Sequence, residues 1–218
     1  MIAPARPARP GSPAAAGSTI VVILLAAGRG LRFDPRHSKM LADFAGRPLV
    51  RQAAETAIAS RAYRTIVVTG HARAKVEAAL ADLPLELVHN RDHASGLASS
   101  LRVGLSAAGD AMGALILLGD MPKVSAETLD RLIALFEGAG AGCPAVVPLY
   151  RGRRGNPVLL GEALFASVAR LSGDEGARRL LQSTAGVVEV PVDDPGVLAD
   201  VDTPSDLERL LADGKRPG

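Results

Sequence analysis

Residues Ile20-Val21-Val22-Ile23-Leu24-Leu25 form an unbroken apolar run that stops at Ala26-Ala27-Gly28. Side chains alternate between the two faces of a strand, so a run with no polar position must be covered on both faces. That is the signature of a central strand in a parallel sheet with helices on either side. The rest of the chain agrees. Further strands are predicted over 65–69, 85–88, 114–118, 145–149, 157–160 and 187–192. Helical spacing is predicted over 48–60, 72–81, 96–107, 162–171 and 175–183. Ser125 is placed to cap a helix running to residue 137, and Thr203-Pro204 to cap and open the last one, because Thr accepts at the N-cap and Pro fits the first helical position. Strands and helices alternating in this way imply an α/β fold with a mostly parallel central sheet and right-handed crossovers.

With 218 residues and 48% of them hydrophobic, the chain suits one large single-core domain. We expect that domain over 19–213, with a disordered Pro- and Ala-rich leader over 1–18 and a short disordered tail over 214–218. The formal charge is only +2 and aromatic residues make up 3%. Neither the basic stripe nor the stacking platform of a nucleic-acid binder is present. Cys143 is the sole cysteine, which excludes an intrachain disulfide and a Cys-rich zinc site. The apolar run at 20–27 is too short to cross a bilayer, and prolines interrupt every candidate signal segment, so no membrane association is expected and the location expected is cytoplasmic.

In open α/β sheets ligands bind beyond the carboxyl ends of the strands, and three unusual segments fall there. Leu25-Ala26-Ala27-Gly28-Arg29-Gly30-Leu31-Arg32, followed by Lys39, combines small residues that let backbone N–H groups approach phosphate with fixed cations. A dinucleotide fingerprint would need a third Gly where Phe33 stands, and a merely tight turn is the plainer alternative. Asp120, in Gly119-Asp120-Met121-Pro122, follows an apolar strand directly, which suits a magnesium ligand better than a turn already served by Pro122 and Ser125. Asp200-Val201-Asp202-Thr203-Pro204 offers two carboxylates on one side of an extended stretch, one for a metal and one to brace a turn, with a purely structural role equally open.

Arg154 and Asn156, then Asp174 and Arg178, are candidates for holding an anionic second substrate, with solvated surface turns as the competitor. Asn90, Gly96 and Ser99 are candidates for ribose or base at the start of the 96–107 helix. His89 and His93 straddle a strand end and a loop, so a zinc site there is disfavoured.

Together Leu25-Ala26-Ala27-Gly28 with Arg32 and Lys39, Gly96-Leu97-Ala98-Ser99-Ser100-Leu101, Gly119-Asp120-Met121-Pro122, Gly155-Asn156-Pro157-Val158, Gly173-Asp174-Glu175-Gly176-Ala177-Arg178 and Asp200-Val201-Asp202-Thr203-Pro204 resemble the MobA-like nucleotidyltransferases, most closely the molybdenum cofactor cytidylyltransferase branch. The likeness runs from about residue 20 to 211. It implies a Rossmann-like three-layer fold and transfer of a nucleotidyl group with release of pyrophosphate. By the same resemblance, residues 25–28 contact the nucleotide, Arg32 and Lys39 the triphosphate, and Asp120 holds magnesium, with Asp202 as second carboxylate. Ala27 matches the cytidine-using branch, where guanine-using relatives read Leu-Ala-Gly-Gly. One departure is that Arg32-Phe33-Asp34-Pro35 and a longer loop to Lys39 replace the usual Arg-Met-Gly with short spacing.

The expectation is therefore CMP transfer from CTP to a phosphate monoester such as molybdopterin, with a molybdoenzyme or its chaperone as the partner receiving product. The alternatives are GTP as donor, a sugar phosphate or methylerythritol phosphate as acceptor, a non-catalytic nucleotide-binding module, or a nicotinamide dehydrogenase.

Overall fold

The computed structural model describes residues 19–33, 38–140 and 142–213. The expected leader and tail, and the Asp34-Pro35 departure, lie outside the described residues. The central strand is β1 (Ile20–Ala26), buried along its whole length. A small hairpin of β2 (Asp43–Phe44) and β3 (Arg47–Pro48) leads into α1 (Leu49–Ala59). Then come β4 (Arg64–Thr69), α2 (Arg73–Ala79), β5 (Glu86–His89), α3 (Leu97–Ala108), β6 (Gly113–Leu118) and α4 (Ala126–Ala139). The second half supplies β7 (Ala145–Tyr150), β8 (Arg153–Arg154), β9 (Val158–Gly161), α5 (Phe165–Val168), α6 (Ala177–Ser183), β10 (Val188–Pro191) and α7 (Pro204–Asp213).

The main sheet runs β10-β7-β9-β6-β1-β4-β5, with β8 paired to β7. β1 pairs in parallel with β4 and β6, β5 with β4, and β10 with β7, while β9 runs antiparallel between β6 and β7. Alternate residues of β1 feed two cores. Val22 and Leu24 pack with α1 and α4 on one face, while Val21, Ile23 and Leu25 pack with α3 and α6 on the other. Three layers result, as expected of a strand with no polar face. A third cluster of Phe44, Leu49, Val201 and Leu210 pins α7 to the hairpin end.

All but one of the predicted elements are present, with bounds differing mainly at their ends. The stretch read as one helix over 162–171 is instead a 3-10 turn, Glu162–Leu164, followed by the single turn α5. The mini-hairpin and β8 are additions, because strands of two residues carry no periodic signal. No described helix is long and apolar enough to cross a membrane.

Candidate active site

β1, β4 and β6 run parallel, so their carboxyl ends open on the same edge. There β1 passes into Gly28-Arg29-Gly30, both exposed at 28 and 29, while Leu25, Ala26 and Ala27 are buried and offer a ligand only their backbone. The Phe33 N–H donates to the Gly30 carbonyl at 2.9 Å. Gly30 adopts φ +59°, and a Cβ there would stand 2.7 Å from the Cβ of Lys39. This turn therefore requires Gly both for its left-handed conformation and for its close approach to Lys39.

Despite the long connection, Lys39 arrives at the sheet edge. It begins the 3-10 turn Lys39–Leu41, and its side chain is only 8% exposed. Its Nζ donates to Asp120 Oδ2 at 2.6 Å and to Asp202 Oδ1 at 3.0 Å. Arg32, largely in solvent, reaches the other oxygen, Asp202 Oδ2, at 3.0 Å. Asp120 Oδ1 is buried and has no hydrogen-bond partner among the described residues.

The electrostatics follow from this packing. Burial works against the lysine's charge, but the Asp120 carboxylate beside it and the hydrogen bonds to Asp120 and Asp202 outweigh that and lift its pKa above the ordinary 10.5. Burial pushes the Asp120 carboxyl above its ordinary range, against the pull of Lys39, and the nearby Asp200 pushes the same way. Asp120 thus needs a cation at its side to remain ionised. The donor set also fits magnesium. Among the described residues no group of three or more His, Cys, Asp and Glu side chains converges, so the protein offers at most a pair of carboxylates, one with an orphaned oxygen. Magnesium is held in that way, by one or two carboxylates with phosphate and water oxygens completing the shell.

Asp202 is aimed by its neighbours. Asp206 Oδ2 accepts from the main-chain N–H groups of Asp202 and Thr203 at 3.2 and 2.8 Å and from the Thr203 hydroxyl at 2.7 Å. The Asp206 N–H in turn reaches Thr203 Oγ1 at 3.2 Å, a reciprocal capping box at the start of α7. The brace expected from one of the Asp200–Asp202 pair is therefore supplied by Asp206. Asp200 instead lines a cleft.

That cleft has a volume of about 490 Å³ and begins beside the carboxylates at Met121 and Asp200. Arg153, Arg154, Asn156, Arg178 and Gln182 supply its polar wall. Arg154 is already held by Glu189 at 2.6 Å, whereas Arg153 and Arg178 make no ion pair among the described residues. The floor is tight, since a Cβ at Gly155 would meet the Val197 carbonyl at 2.4 Å, and the Asn156 N–H donates to that same carbonyl at 2.9 Å. Asp174 lies on an exposed turn and does not line the cleft. Its neighbour Gly173 accepts from the Ala98 N–H at 3.0 Å, and Gly96, at φ +104°, has no room for a side chain beside it.

Asn90 and Ser99 are both buried and spend their polar groups on the protein. Asn90 Nδ2 donates to Ser99 Oγ at 2.7 Å and to Ser100 Oγ at 3.0 Å, and its Oδ1 accepts from the Asp92 N–H at 2.9 Å. They set the shape of the loop rather than present hydroxyls to the edge. Ala27 is also turned inward. Its carbonyl accepts from the His71 N–H at 3.1 Å, and a Cβ on Gly70 would lie 2.8 Å from its methyl group.

One residue absent from the expectations is Asp194. Its buried carboxylate accepts from the Ser125 N–H and hydroxyl, each at 3.0 Å, from the Thr128 hydroxyl at 2.6 Å and from the Gly196 N–H at 2.8 Å. It thereby ties the segment carrying Val197 and Asp200 to the start of α4. Asp194-Pro195, an Asp before a helix-opening Pro, is the only trace of this role in the sequence.

Comparisons with known proteins accord with this geometry. The chain is 35% identical over 195 residues to a nicotine blue oxidoreductase of Paenarthrobacter nicotinovorans, covering 87% of this chain and 95% of that one. Rv0371c of Mycobacterium tuberculosis, also solved as a manganese complex, superimposes with a TM-score of 0.76 at 31% identity, covering 89% of this chain and 99% of that one. A nucleotidyl transferase from Methanothermobacter superimposes with the same TM-score at 26% identity, over 90% and 98% of the two chains. Residues 22–189 match the MobA-like NTP transferase domain, and the chain belongs to that nucleotidyltransferase family.

Proposed function

We propose that this protein is a magnesium-dependent cytidylyltransferase that moves CMP from CTP onto a phosphate monoester, molybdopterin being the acceptor favoured. The observation that carries the reading is the convergence of Lys39, Asp120 and Asp202 beside a cleft whose Arg153 and Arg178 make no ion pair among the described residues. In this assignment residues 19–213 act as one catalytic domain. The nucleotide lies along the backbone of 25–28 and Gly30, with Asn90, Gly96 and Ser99 shaping that edge from beneath. Arg154, Asn156 and Arg178 bound the acceptor cleft, and Asp174 supports it through the turn against α3.

Asp120 and Asp202 would hold the magnesium ion, which when bound neutralises triphosphate charge and draws electron density from the phosphorus under attack. The chain's own contribution is positioning and charge. Arg32 and Lys39 bind the triphosphate oxygens. Arg153 and Arg178 bind the acceptor's phosphate and point one of its oxygens along the line to the α-phosphorus. A bond forms from that oxygen to the α-phosphorus as the bond from the α-phosphorus to the bridging oxygen breaks, and pyrophosphate leaves with the electron pair. The acceptor oxygen is already ionised, so no side chain has to take a proton. On this reading the enzyme is cytoplasmic and hands its product to a molybdoenzyme or its chaperone.

The choice of CTP rests on Ala27, which matches the cytidine-using branch and whose methyl lies beside Gly70. The test is pyrophosphate release with CTP, GTP, ATP and UTP, each with molybdopterin, a sugar phosphate or methylerythritol phosphate. CTP with molybdopterin should exceed every other pair. Faster turnover with GTP, or with another acceptor, would overturn the corresponding half, and tight CTP binding without release under any pairing would favour a binding module.

One observation favours a second reading, oxidoreductase action, namely the name of the relative from Paenarthrobacter. It predicts that NADH or NADPH is consumed in the presence of nicotine blue. The transferase reading predicts no consumption.

A further inference from the structure

Lys39 Nζ sits on the same two carboxylates that the reading above assigns to magnesium. An ammonium and a divalent cation compete for those carboxylates, because at contact distance they repel each other in a partly buried site. The lysine cannot step aside by moving its backbone. The Ala42 N–H donates to the Lys39 carbonyl at 3.0 Å, and Gly30 lies against its Cβ. Only the side chain beyond Cβ is free to turn, and it must turn toward other anions, since leaving a buried ammonium unpaired is costly.

We propose that Lys39 is the resident counter-ion of Asp120 and Asp202, and that a triphosphate must draw it away before a divalent cation settles between them. Cation and nucleotide then bind as one coupled event. The triphosphate serves both sides of this exchange. Its oxygens give Lys39 new partners, and they complete the shell of a cation for which the protein supplies only two carboxylates. The orphaned Asp120 Oδ1 becomes useful at the same moment, as the one carboxylate oxygen of the pair that neither Lys39 nor Arg32 engages. The coupling has a function, because a bare metal ion binds more weakly without nucleotide while the carboxylates stay neutralised by Lys39.

This inference rests on the metal assignment under Proposed function, and the experiment separates the two. Binding of Mn2+ alone, without nucleotide, is followed on the full chain by the loss of the free-ion EPR signal for wild type, Lys39→Met and the double variant Lys39→Met/Asp120→Asn. CTP binding to wild type and Asp120→Asn is measured with and without Mn2+. If the lysine holds the carboxylates in about nine molecules of ten, its removal tightens Mn2+ alone about tenfold, and the strengthening of Mn2+ binding by CTP is about tenfold smaller than in wild type. Lys39→Gln, which keeps a hydrogen-bond donor, serves in the same assay if Lys39→Met fails to melt cooperatively. Mn2+ affinity unchanged from wild type in a folded Lys39 variant would overturn the coupling alone, provided Asp120→Asn abolishes the Mn2+ dependence of CTP binding. If the double variant binds Mn2+ as well as Lys39→Met does, Asp120 is no ligand and the metal assignment falls with it.

Discussion

The main-chain N–H of Val201 donates to the carbonyl of Asp120 at 3.0 Å. This bond joins the end of β6 to the segment between β10 and α7, far apart in sequence, and sets Asp202 one residue beyond the junction. The two carboxylates thus face a common point by virtue of backbone pairing rather than side-chain reach. Val201 itself is fully buried with Phe44, Leu49 and Leu210, so α7 packing holds the junction shut.

Asp194 is the second support of that segment, and its removal should be felt in stability and at the acceptor. Asp194→Ala strands the buried Gly196 N–H and Thr128 hydroxyl and takes an acceptor from the Ser125 N–H, costing about 3 kcal/mol. Urea unfolding should show the loss. Steady-state kinetics on the folded fraction should show a raised KM for the acceptor with a smaller change in KM for the nucleotide. An unchanged acceptor KM would mean that Asp194 braces the fold without placing the cleft.

Arg178 carries a more local expectation. Lining the cleft without an ion-pair partner among the described residues, it should matter to substrate and not to folding. Arg178→Ala should leave the melting temperature within about a degree, as surface changes usually do, and should raise the acceptor KM at least about tenfold, the scale of one charge-assisted contact. Calorimetric titration with the acceptor checks it independently of turnover.

Ala27→Gly tests donor choice. Because the methyl group is buried against Gly70, the variant should act by letting the 70–71 turn settle inward, relaxing discrimination against GTP without a full reversal. Competing CTP and GTP in one reaction and reading the product ratio measures this directly. An unchanged ratio would remove Ala27 from the specificity account.

Acid should loosen the pairing of α1 with the end of α2. Arg51 donates to both oxygens of Asp82, at 2.7 and 2.8 Å, and these hydrogen bonds hold the Asp82 carboxyl down at about 2 against an ordinary 3.8. A carboxyl lowered by folding stabilises the folded state above its unfolded pKa and loses that contribution as pH falls toward its folded one. The stability gap between wild type and Asp82→Asn should therefore be constant above about pH 5 and close between about pH 4 and pH 2. Thermal melts of both proteins across that range show the gap. Transfer activity at neutral pH should be the same in both.

Much of this architecture was legible in the chain because its cause is local. The all-apolar Ile20–Leu25 run dictates a strand covered on both faces, and the acid after a strand at 120 and the Gly/Arg turn at 28–32 announce themselves by breaking ordinary patterns. Lys39 was legible as a fixed cation seven residues beyond Arg32, with its contact to the triphosphate implied by the family resemblance, and it lands on Asp120. What could not be read was partnership across distance. Asn90 and Ser99 read in the sequence as candidates for ribose or base, and only the fold shows that they hydrogen-bond each other. Asp206, not Asp200, braces Asp202, because the capping box is completed by the turn of α7. Asp194 is visible merely as an acid before a proline, since its partners at Ser125 and Thr128 come from another layer.

The central claim is that the Asp120 carboxylate holds the metal on which transfer depends. The measurement is CTP turnover, as pyrophosphate released in the presence of acceptor, for wild type and Asp120→Asn across magnesium concentrations, with melting curves on both. Asparagine keeps the shape and removes the charge, so the variant should fold while turnover falls by about two orders of magnitude or more, the scale of losing a preorganised electrostatic group. Normal turnover by folded Asp120→Asn at limiting magnesium would contradict the account.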